Sequence, residues 1–279
     1  MFGDLPGPSF QVLYNKFLLG GANGLADLPL GGAVRRMKIA ENNKALPMDR
    51  VYFAYNHFHN AMAGQNDPLL SLPGNGQPTG TILRAPVDRY MIGCEKTFGC
   101  ELWSVDLRMP FSNGPSFDDT AAGFGVFGDE VGNLNVAVKR VLRACPDYAV
   151  TLGLGIDTPT GDQVTGIAQG VPFTVHNDAV YLQPFIGCVG TIDERLFYHG
   201  FLQFDIGANG NRIDVGGVEI GNLSEQNLMN LDVAIGNWFY RNPNACYLTG
   251  LAGMVEFHYC TTIQDSDRLE VGDVFNPPT

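Results

Sequence analysis

Apolar and polar residues alternate one by one along much of this 279-residue chain, and this period limits the fold more than any other feature. In the clearest segment, 101–111, Trp103 and Val105 lie on one face while Ser104 and Asp106 lie on the other. Successive side chains of a strand point to opposite faces, whereas a helix returns to one face every three or four residues. The pattern therefore predicts strands with one apolar and one polar face.

Ten segments follow this pattern, and the connections between them alternate in length. The predicted strands are 34–42, 50–60, 85–98, 101–111, 132–144, 147–157, 178–190, 195–208, 229–241 and 246–260. Short links near 43–49, 99–100, 145–146, 191–194 and 242–245 alternate with long ones near 61–84, 112–131, 158–177, 209–228 and from 261 onward. Short turns at one end and long loops at the other are typical of transmembrane barrels. The sequence thus predicts an all-β, antiparallel up-and-down transmembrane β-barrel.

Aromatic residues support the same interpretation, because they concentrate near the ends of the predicted strands. Trp103, Tyr148 and Trp238 lie close to short turns, and Phe111 and Tyr259 lie near long loops. Two such belts are expected where rings settle at the two membrane–water interfaces. Aromatics are also common in strands of any kind, so a soluble β-sheet protein that binds a ligand stays open as an alternative.

Charged residues occupy the polar face in the middle of several predicted strands. The candidates for a lumen-facing position are Asp106, Arg108, Lys139, Asp205, Asp232, Glu256 and His258. In a soluble sandwich the same residues would form the solvated outer side, and alternation alone serves both arrangements. Four glycines on the polar face are expected to leave room inside the barrel: Gly153, Gly155, Gly207 and Gly236.

These features predict a porin-like barrel that passes small solutes through a polar lumen. A closed barrel that acts as a surface scaffold or adhesin is the alternative within the membrane class. The expected location is the bacterial outer membrane, and the expected partners are outer-membrane lipid and small solutes. No catalytic motif or metal-ligand spacing is present, and we expect neither enzymatic activity nor a cofactor.

Composition excludes other classes. A formal net charge of −12 and the lack of a Lys/Arg-rich face argue against a nucleic-acid partner. No uncharged apolar run reaches the roughly 18 residues of a transmembrane helix. The six cysteines lie at 94, 100, 145, 188, 246 and 260, and we expect them to be unpaired and packed.

Residues 1–33 are expected to form an N-terminal segment separate from a barrel domain over 34–279. Its apolar residues follow a helical spacing, namely Phe10, Leu13, Tyr14, Phe17 and Leu18. One interpretation is a short helix that plugs or caps the barrel. The other, equally compatible with the pattern, is a disordered remnant of a lost first strand.

An ordered series of motifs runs along the chain: KIAENN (38–43), PMDRVYF (47–53), YN (55–56), VDRY (87–90), EKTF (95–98), VDLRMPF (105–111), GFLQFD (200–205), EQNL (225–228) and EFHY (256–259). As a set, these motifs resemble those of a poorly characterised family of outer-membrane β-barrel proteins from planctomycete-type bacteria. The resemblance covers roughly 35–262. It implies the fold and the outer-membrane location, and it implies no catalytic residue.

Two features depart from the family pattern. The cysteines are atypical, and the chain ends at 274–279 without a terminal aromatic strand. Bacterial single-chain barrels close with an even number of strands. We therefore expect the 34–279 domain to be truncated at its C-terminus, as a fragment of a barrel of roughly 12 or more strands.

Overall fold

The computed structural model describes residues 9–14, 24–29, 36–65, 82–113, 117–119, 124–127, 130–168, 171–242, 244–265 and 269–270, and these residues are all-β. Their strands in chain order are β1 (Ser9–Tyr14), β2 (Gly24–Pro29), β3 (Arg50–Gln65), β4 (Ile82–Phe98), β5 (Trp103–Asn113), β6 (Phe117–Asp119), β7 (Phe124–Phe127), β8 (Glu130–Val131), β9 (Asn135–Ala144), β10 (Tyr148–Asp157), β11 (Val164–Ala168), β12 (Val171–Val175), β13 (Tyr181–Thr191), β14 (Leu196–Gly207), β15 (Asn211–Val215), β16 (Val218–Leu223), β17 (Asn227–Arg241), β18 (Gly250–Gln264) and β19 (Leu269–Glu270).

Nine long strands form the main sheet, in the order β3-β4-β5-β9-β10-β13-β14-β17-β18. Each strand pairs with the next long strand of the chain in antiparallel register, so the sheet is an up-and-down meander. The sequence prediction is confirmed for these nine strands and for their antiparallel order. The sheet is curled into a half-barrel, and within the described residues β3 and β18 are its edges.

The predicted long loops contain strands of their own. Six short strands, β6, β7, β11, β12, β15 and β16, pair into a second sheet, which we call the loop sheet. Its last hairpin turns at Gly216 and Gly217, whose φ angles are +59° and +80°. Two consecutive positive φ angles are what a tight type I′ hairpin turn requires, and glycine adopts them without steric cost.

In the N-terminal segment the described residues form strands, neither the short helix nor the disordered remnant that the two sequence interpretations proposed. Residues Ser9–Tyr14 and Gly24–Pro29 form an antiparallel hairpin, and β19 pairs with β1 in parallel. Cross-strand pairing therefore overrides the helical spacing of Phe10, Leu13 and Tyr14. Phe17 and Leu18 lie outside the described residues.

The predicted first strand, 34–42, is wrong. Residues 36–45 form an irregular segment with turns at 39–42, and most of them are buried against the main sheet. We call residues 36–45 the strap. Asn42 has a φ of +45°, a left-handed conformation that Asn tolerates better than most residues and that ends an extended run.

The strap shows which face of the main sheet is concave. A single residue of the strap, Lys38, contacts two distant strands. Its carbonyl accepts a hydrogen bond from Arg108 of β5, and its ammonium lies 3.8 Å from Asp232 of β17. On a flat sheet these strands would lie roughly 24 Å apart, at about 4.8 Å per strand. The sheet therefore wraps around the strap. We call the face toward the strap the inner face and the opposite one the outer face.

The apolar core is small and lies between the strap and the inner face. It comprises Ile39, Ala40 and Ala45 of the strap with Ala137, Phe185 and Phe201 of the sheet. Phe185 and Phe201 contact each other with their ring centroids 6.2 Å apart. Most of the remaining contacts of the strap are polar.

Candidate functional site: the strap and the inner face

The inner face buries charge and the outer face exposes apolar side chains, the reverse of a soluble sheet. Arg108 and Asp232 of the inner face are fully buried, at 0% exposure. Val51 and Val255 of the outer face are 82% and 77% exposed. Other exposed outer-face residues are Phe53, Ile92, Leu107, Val138, Leu152, Leu154, Ile186, Ile235 and Phe257.

The seven predicted lumen-facing residues all lie on the inner face, on five different strands. They are Asp106 and Arg108 on β5, Lys139 on β9, Asp205 on β14, Asp232 on β17, and Glu256 and His258 on β18. The first five are buried, and Glu256 and His258 on the edge strand are half-buried. The curl of the sheet brings several of them onto the strap.

Arg36 begins the strap and contacts two carboxylates. Its guanidinium lies 3.5 Å from Asp205 and 3.6 Å from Glu225, and these side chains are at most 2% exposed. The guanidinium also stacks 4.3 Å from the ring centroid of Tyr181 and donates to the carbonyl of Gln226. Two carboxylates therefore surround one cation at this end of the strap.

Glu41 anchors the strap on the opposite side of the half-barrel. Its Oε2 accepts a 2.7 Å hydrogen bond from Arg89 of β4, and its Oε1 accepts one of 2.9 Å from Asn56 of β3. Arg89 and Glu41 are almost completely buried. A buried ion pair of this geometry is costly to break, because either partner alone would leave an uncompensated charge.

The backbone of the strap is also held by side chains of the inner face. Buried N–H and C=O groups need partners, and a segment outside any ladder has to find them in side chains. The bonds run from Ile39 N to Gln203 Oε1 (2.6 Å), from Gln183 Nε2 to Met37 O (2.9 Å), from Lys139 Nζ to Lys44 O (2.7 Å) and from Ala45 N to His199 Nε2 (3.1 Å). These contacts spread over three strands, β9, β13 and β14, and fix the path of the strap.

A network around Glu95 supports the end of the strap nearest the short turns. Glu95 lies 2.8 Å from both Arg50 and Lys139, and it accepts a 2.6 Å hydrogen bond from Ser104. Lys139 also donates to Asn43 Oδ1 at 3.0 Å. The carboxylate of Glu95 thereby positions a lysine that holds the strap.

A second network surrounds Asp157, toward the loop sheet. Asn135 Nδ2 donates to Asp157 at 2.6 Å, and Gln183 Nε2 donates to the other carboxylate oxygen at 3.0 Å. Arg108 donates to Asn135 at 2.9 Å and so connects this network to Lys38, whose carbonyl it also binds. The polar residues of the inner face thus form continuous chains of hydrogen bonds.

His258 and Asp232 form a pair near the β18 edge. His258 Nδ1 lies 2.6 Å from Asp232 Oδ1, and His258 Nε2 lies 3.4 Å from Glu256 Oε2. Asp232 connects this pair to Lys38 of the strap. Within the described ranges no three His, Cys, Asp or Glu residues are arranged to hold a metal ion.

The glycines of the inner face do not leave open space, contrary to the sequence expectation. A Cβ on Gly153 would lie 2.1 Å from the ring of Phe185, and one on Gly236 would lie 2.2 Å from that of Phe197. Gly155 makes room for Ile39 of the strap. Only Gly207 has neighbours at ordinary contact distance, the nearest at 3.6 Å. These glycines admit aromatic rings and the strap instead of solute.

No disulfide joins the cysteines of the described residues, and the expectation that they are packed is wrong for four of the six, which are exposed. Cys94, Cys100, Cys246 and Cys260 are the exposed ones, and Cys145 and Cys188 are half-buried. The exposure of Cys94 follows from its position on the outer face of β4.

Sequence reasoning missed the strap. Three of its residues form buried ion pairs with the main sheet or its loops, although the alternation assigns them to a first strand: Arg36, Lys38 and Glu41. One signal was available: KIAENN lacks strict alternation, and its adjacent Asn42 and Asn43 are typical turn residues. Which strands the strap contacts depends on the curl of the sheet, and no local pattern encodes that.

Asp49 fixes the chain where it leaves the strap and enters β3. Its carboxylate accepts hydrogen bonds from Lys96 Nζ and from the backbone N–H and hydroxyl of Thr97. These hydrogen bonds, of which the one from Lys96 has the largest effect, hold the pKa of Asp49 well below its usual range. The anion is therefore the form that anchors this exit.

Comparison with known proteins leaves the family open, because the chain matches no protein-family model, no curated protein and no solved structure. Among the described residues, no helix has the length and apolar character needed to cross a membrane. The functional assignment accordingly rests on the geometry of the main sheet and the strap.

Proposed function

We propose that the main sheet is part of the wall of a β-barrel in the bacterial outer membrane, with its outer face toward lipid. The observation that carries this proposal is the reversed burial, with charge inside and large apolar side chains outside. A soluble antiparallel sheet packs its apolar face on a core and solvates its polar face. The exposed apolar area here would be an aggregation hazard in water, whereas lipid would cover it.

The strand lengths support a membrane position. The nine main-sheet strands have 10 to 17 residues each. A tilted strand needs about 9–11 residues to cross the hydrocarbon region. The proposal further requires pairing along β3 and β18, because unpaired backbone groups cost several kcal/mol each in lipid. Closure of the barrel would meet that requirement.

We infer that this barrel is closed in its resting state and serves as a scaffold at the cell surface. The strap crosses the interior, and aromatic rings occupy the space next to the inner-face glycines. The loop sheet at the long-loop end would then be the presented surface, because long loops of such barrels are extracellular. No catalytic activity forms part of the proposal.

Passage of small solutes is the second candidate, and the polar attachment of the strap favours it. Hydrogen bonds and ion pairs to an inner face can be exchanged for water, unlike contacts to an apolar core. Asn230 of that face is fully buried, and in the part of the chain that the structure describes neither of its amide atoms has a hydrogen-bond partner. Displacement of the strap would give water and small solutes access to this polar interior.

Conductance of the refolded protein in planar bilayers separates the candidates. The closed barrel predicts heat-modifiable migration on a denaturing gel and no steady conductance. Replacing 36–45 with an equally long Gly/Ser segment should then create conductance while the heat-modifiable form is retained. Steady conductance of the unaltered chain would favour solute passage. Migration unchanged by boiling, with solubility as a monomer without detergent, would overturn both.

A further inference from the structure

Two arginines lie on the outer face at the short-turn end of β9. In a regular strand, residues three apart such as Arg140 and Arg143 point to opposite faces. Here the pairing with β10 shifts between Val150 and Thr151, so that Leu142 is left without a partner in the register. This β-bulge places Arg140 opposite Leu152 and Arg143 opposite Val150, both outer-face residues. Bulges commonly redirect a side chain in this way.

Aromatic rings hold both guanidinium groups. Arg140 lies over Trp103, with its Cζ 5.0 Å from the ring centroid, and Arg143 lies over Tyr148 at 5.6 Å. Trp103 is itself stacked with Phe98, at 6.2 Å between centroids. Cation–π contacts within about 6 Å orient a guanidinium while leaving its N–H groups available.

These N–H groups are available for an anion. Arg140 and Arg143 are exposed. Within the described ranges, the arginines that form ion pairs with carboxylates are Arg36, Arg50, Arg89 and Arg108. The Nε of Arg143 donates weakly to Cys145 Sγ at 3.4 Å, which leaves its terminal nitrogens free of that contact. Two cations at one end of a largely apolar face are complementary to anionic groups attached to apolar chains.

We propose that Arg140 and Arg143, with Trp103 and Tyr148, bind the phosphate of an anionic phospholipid headgroup. The inference rests on the proposed membrane position of the main sheet. Short turns of such barrels face the periplasmic side, so the partner is a phospholipid of that leaflet. Guanidinium groups suit phosphate because they offer paired N–H donors, and the rings suit the headgroup level of the bilayer.

Quenching of Trp103 fluorescence by brominated lipid measures this binding locally. The chain has two tryptophans, so Trp238→Phe leaves Trp103 as the only one. In that background, brominated phosphatidylglycerol should quench Trp103 more effectively than brominated phosphatidylcholine in mixed vesicles. Arg140→Gln combined with Arg143→Gln should lower the relative affinity for phosphatidylglycerol roughly 30-fold, because each cation near an anionic surface contributes about fivefold.

A matched control removes the same charge elsewhere. Arg195→Gln with Arg212→Gln changes one arginine of a short turn and one of the loop sheet, and it should leave the preference of Trp103 for phosphatidylglycerol intact. Equal losses in both double variants would overturn the site, as would abolition of the preference by inorganic phosphate. Vesicle insertion without any preference would overturn this inference alone, whereas failure to insert into any vesicle would overturn the proposed function as well.

Discussion

Gly153 is required at its position because the ring of Phe185 occupies the space of a side chain. A Cβ there would also lie 2.6 Å from the backbone oxygen of Val138, which cannot move as a flexible side chain can. We expect Gly153→Ala to destabilise the folded form by about 1–3 kcal/mol, the usual cost of overpacking. Gly207→Ala, whose nearest neighbour is at 3.6 Å, should change stability by less than about 0.5 kcal/mol.

Urea titration of the heat-modifiable band measures both glycine variants. Adding Phe185→Leu to Gly153→Ala should restore part of the lost stability, since the smaller side chain vacates the contact. Equal stability of the two alanine variants would show that Phe185 does not fill the space next to Gly153.

The buried pair between Arg89 and Glu41 is expected to dominate the attachment of the strap to β3 and β4. Arg89→Met would leave the Glu41 carboxylate buried without its cation, at a cost of about 3–5 kcal/mol. Adding Glu41→Gln should recover much of that loss. The exposed pair Lys96–Asp49 provides the control, because solvent screens it and Lys96→Met should lower the stability much less than Arg89→Met does.

Denaturant unfolding of these variants gives the comparison directly. If the free energy of unfolding of Arg89→Met were no lower than that of Lys96→Met, the pair between Arg89 and Glu41 would not hold the strap.

At the scale of the element, the strap exit should depend on pH through Asp49. The folded pKa of Asp49 lies below its unfolded value of about 3.9. Its stabilising effect is therefore fully present above that value and is lost as the pH falls through the folded pKa. Asp49→Asn should lower the urea midpoint at neutral pH, and the difference from the unaltered chain should shrink below about pH 4. A difference independent of pH would exclude the anion as the anchor.

The sequence was sufficient for the nine long strands because each carries its own alternation. The common face of Trp103, Val105 and Leu107 follows from their spacing alone, whichever strands lie beside them. The loop sheet was missed since strands such as Phe117–Asp119 and Phe124–Phe127 are too short to show a period.

The candidate site was predicted only in half. Alternation identified the inner-face charges from Asp106 to His258, because a face is a local property. The strap was not identified, because its contacts join residues such as Arg36 and Asp205, which the chain separates by well over a hundred positions. Its position depends on how strongly the sheet curls, which is a property of the whole meander.

For the whole molecule, the proposed membrane position depends on the direction in which each strand's two faces point. A half-barrel with charge inside and apolar residues outside is consistent with a lipid environment, and the bulge of β9 adds cations only at its rim. The same curled sheet in water would have to cover its outer face with protein. The proposed membrane position is therefore a claim about what touches the outer face.

A spin-label scan along β10 tests this claim most directly. The six native cysteines would first be replaced by serine, and single cysteines introduced along Tyr148–Asp157 in the vesicle-inserted protein, omitting Gly153 and Gly155 because a side chain does not fit there. Collision with oxygen dissolved in lipid should be high at Val150, Leu152 and Leu154 and low at the alternate positions, with a period of two. Labels at those three positions that collide instead with a water-soluble relaxant would contradict the membrane position.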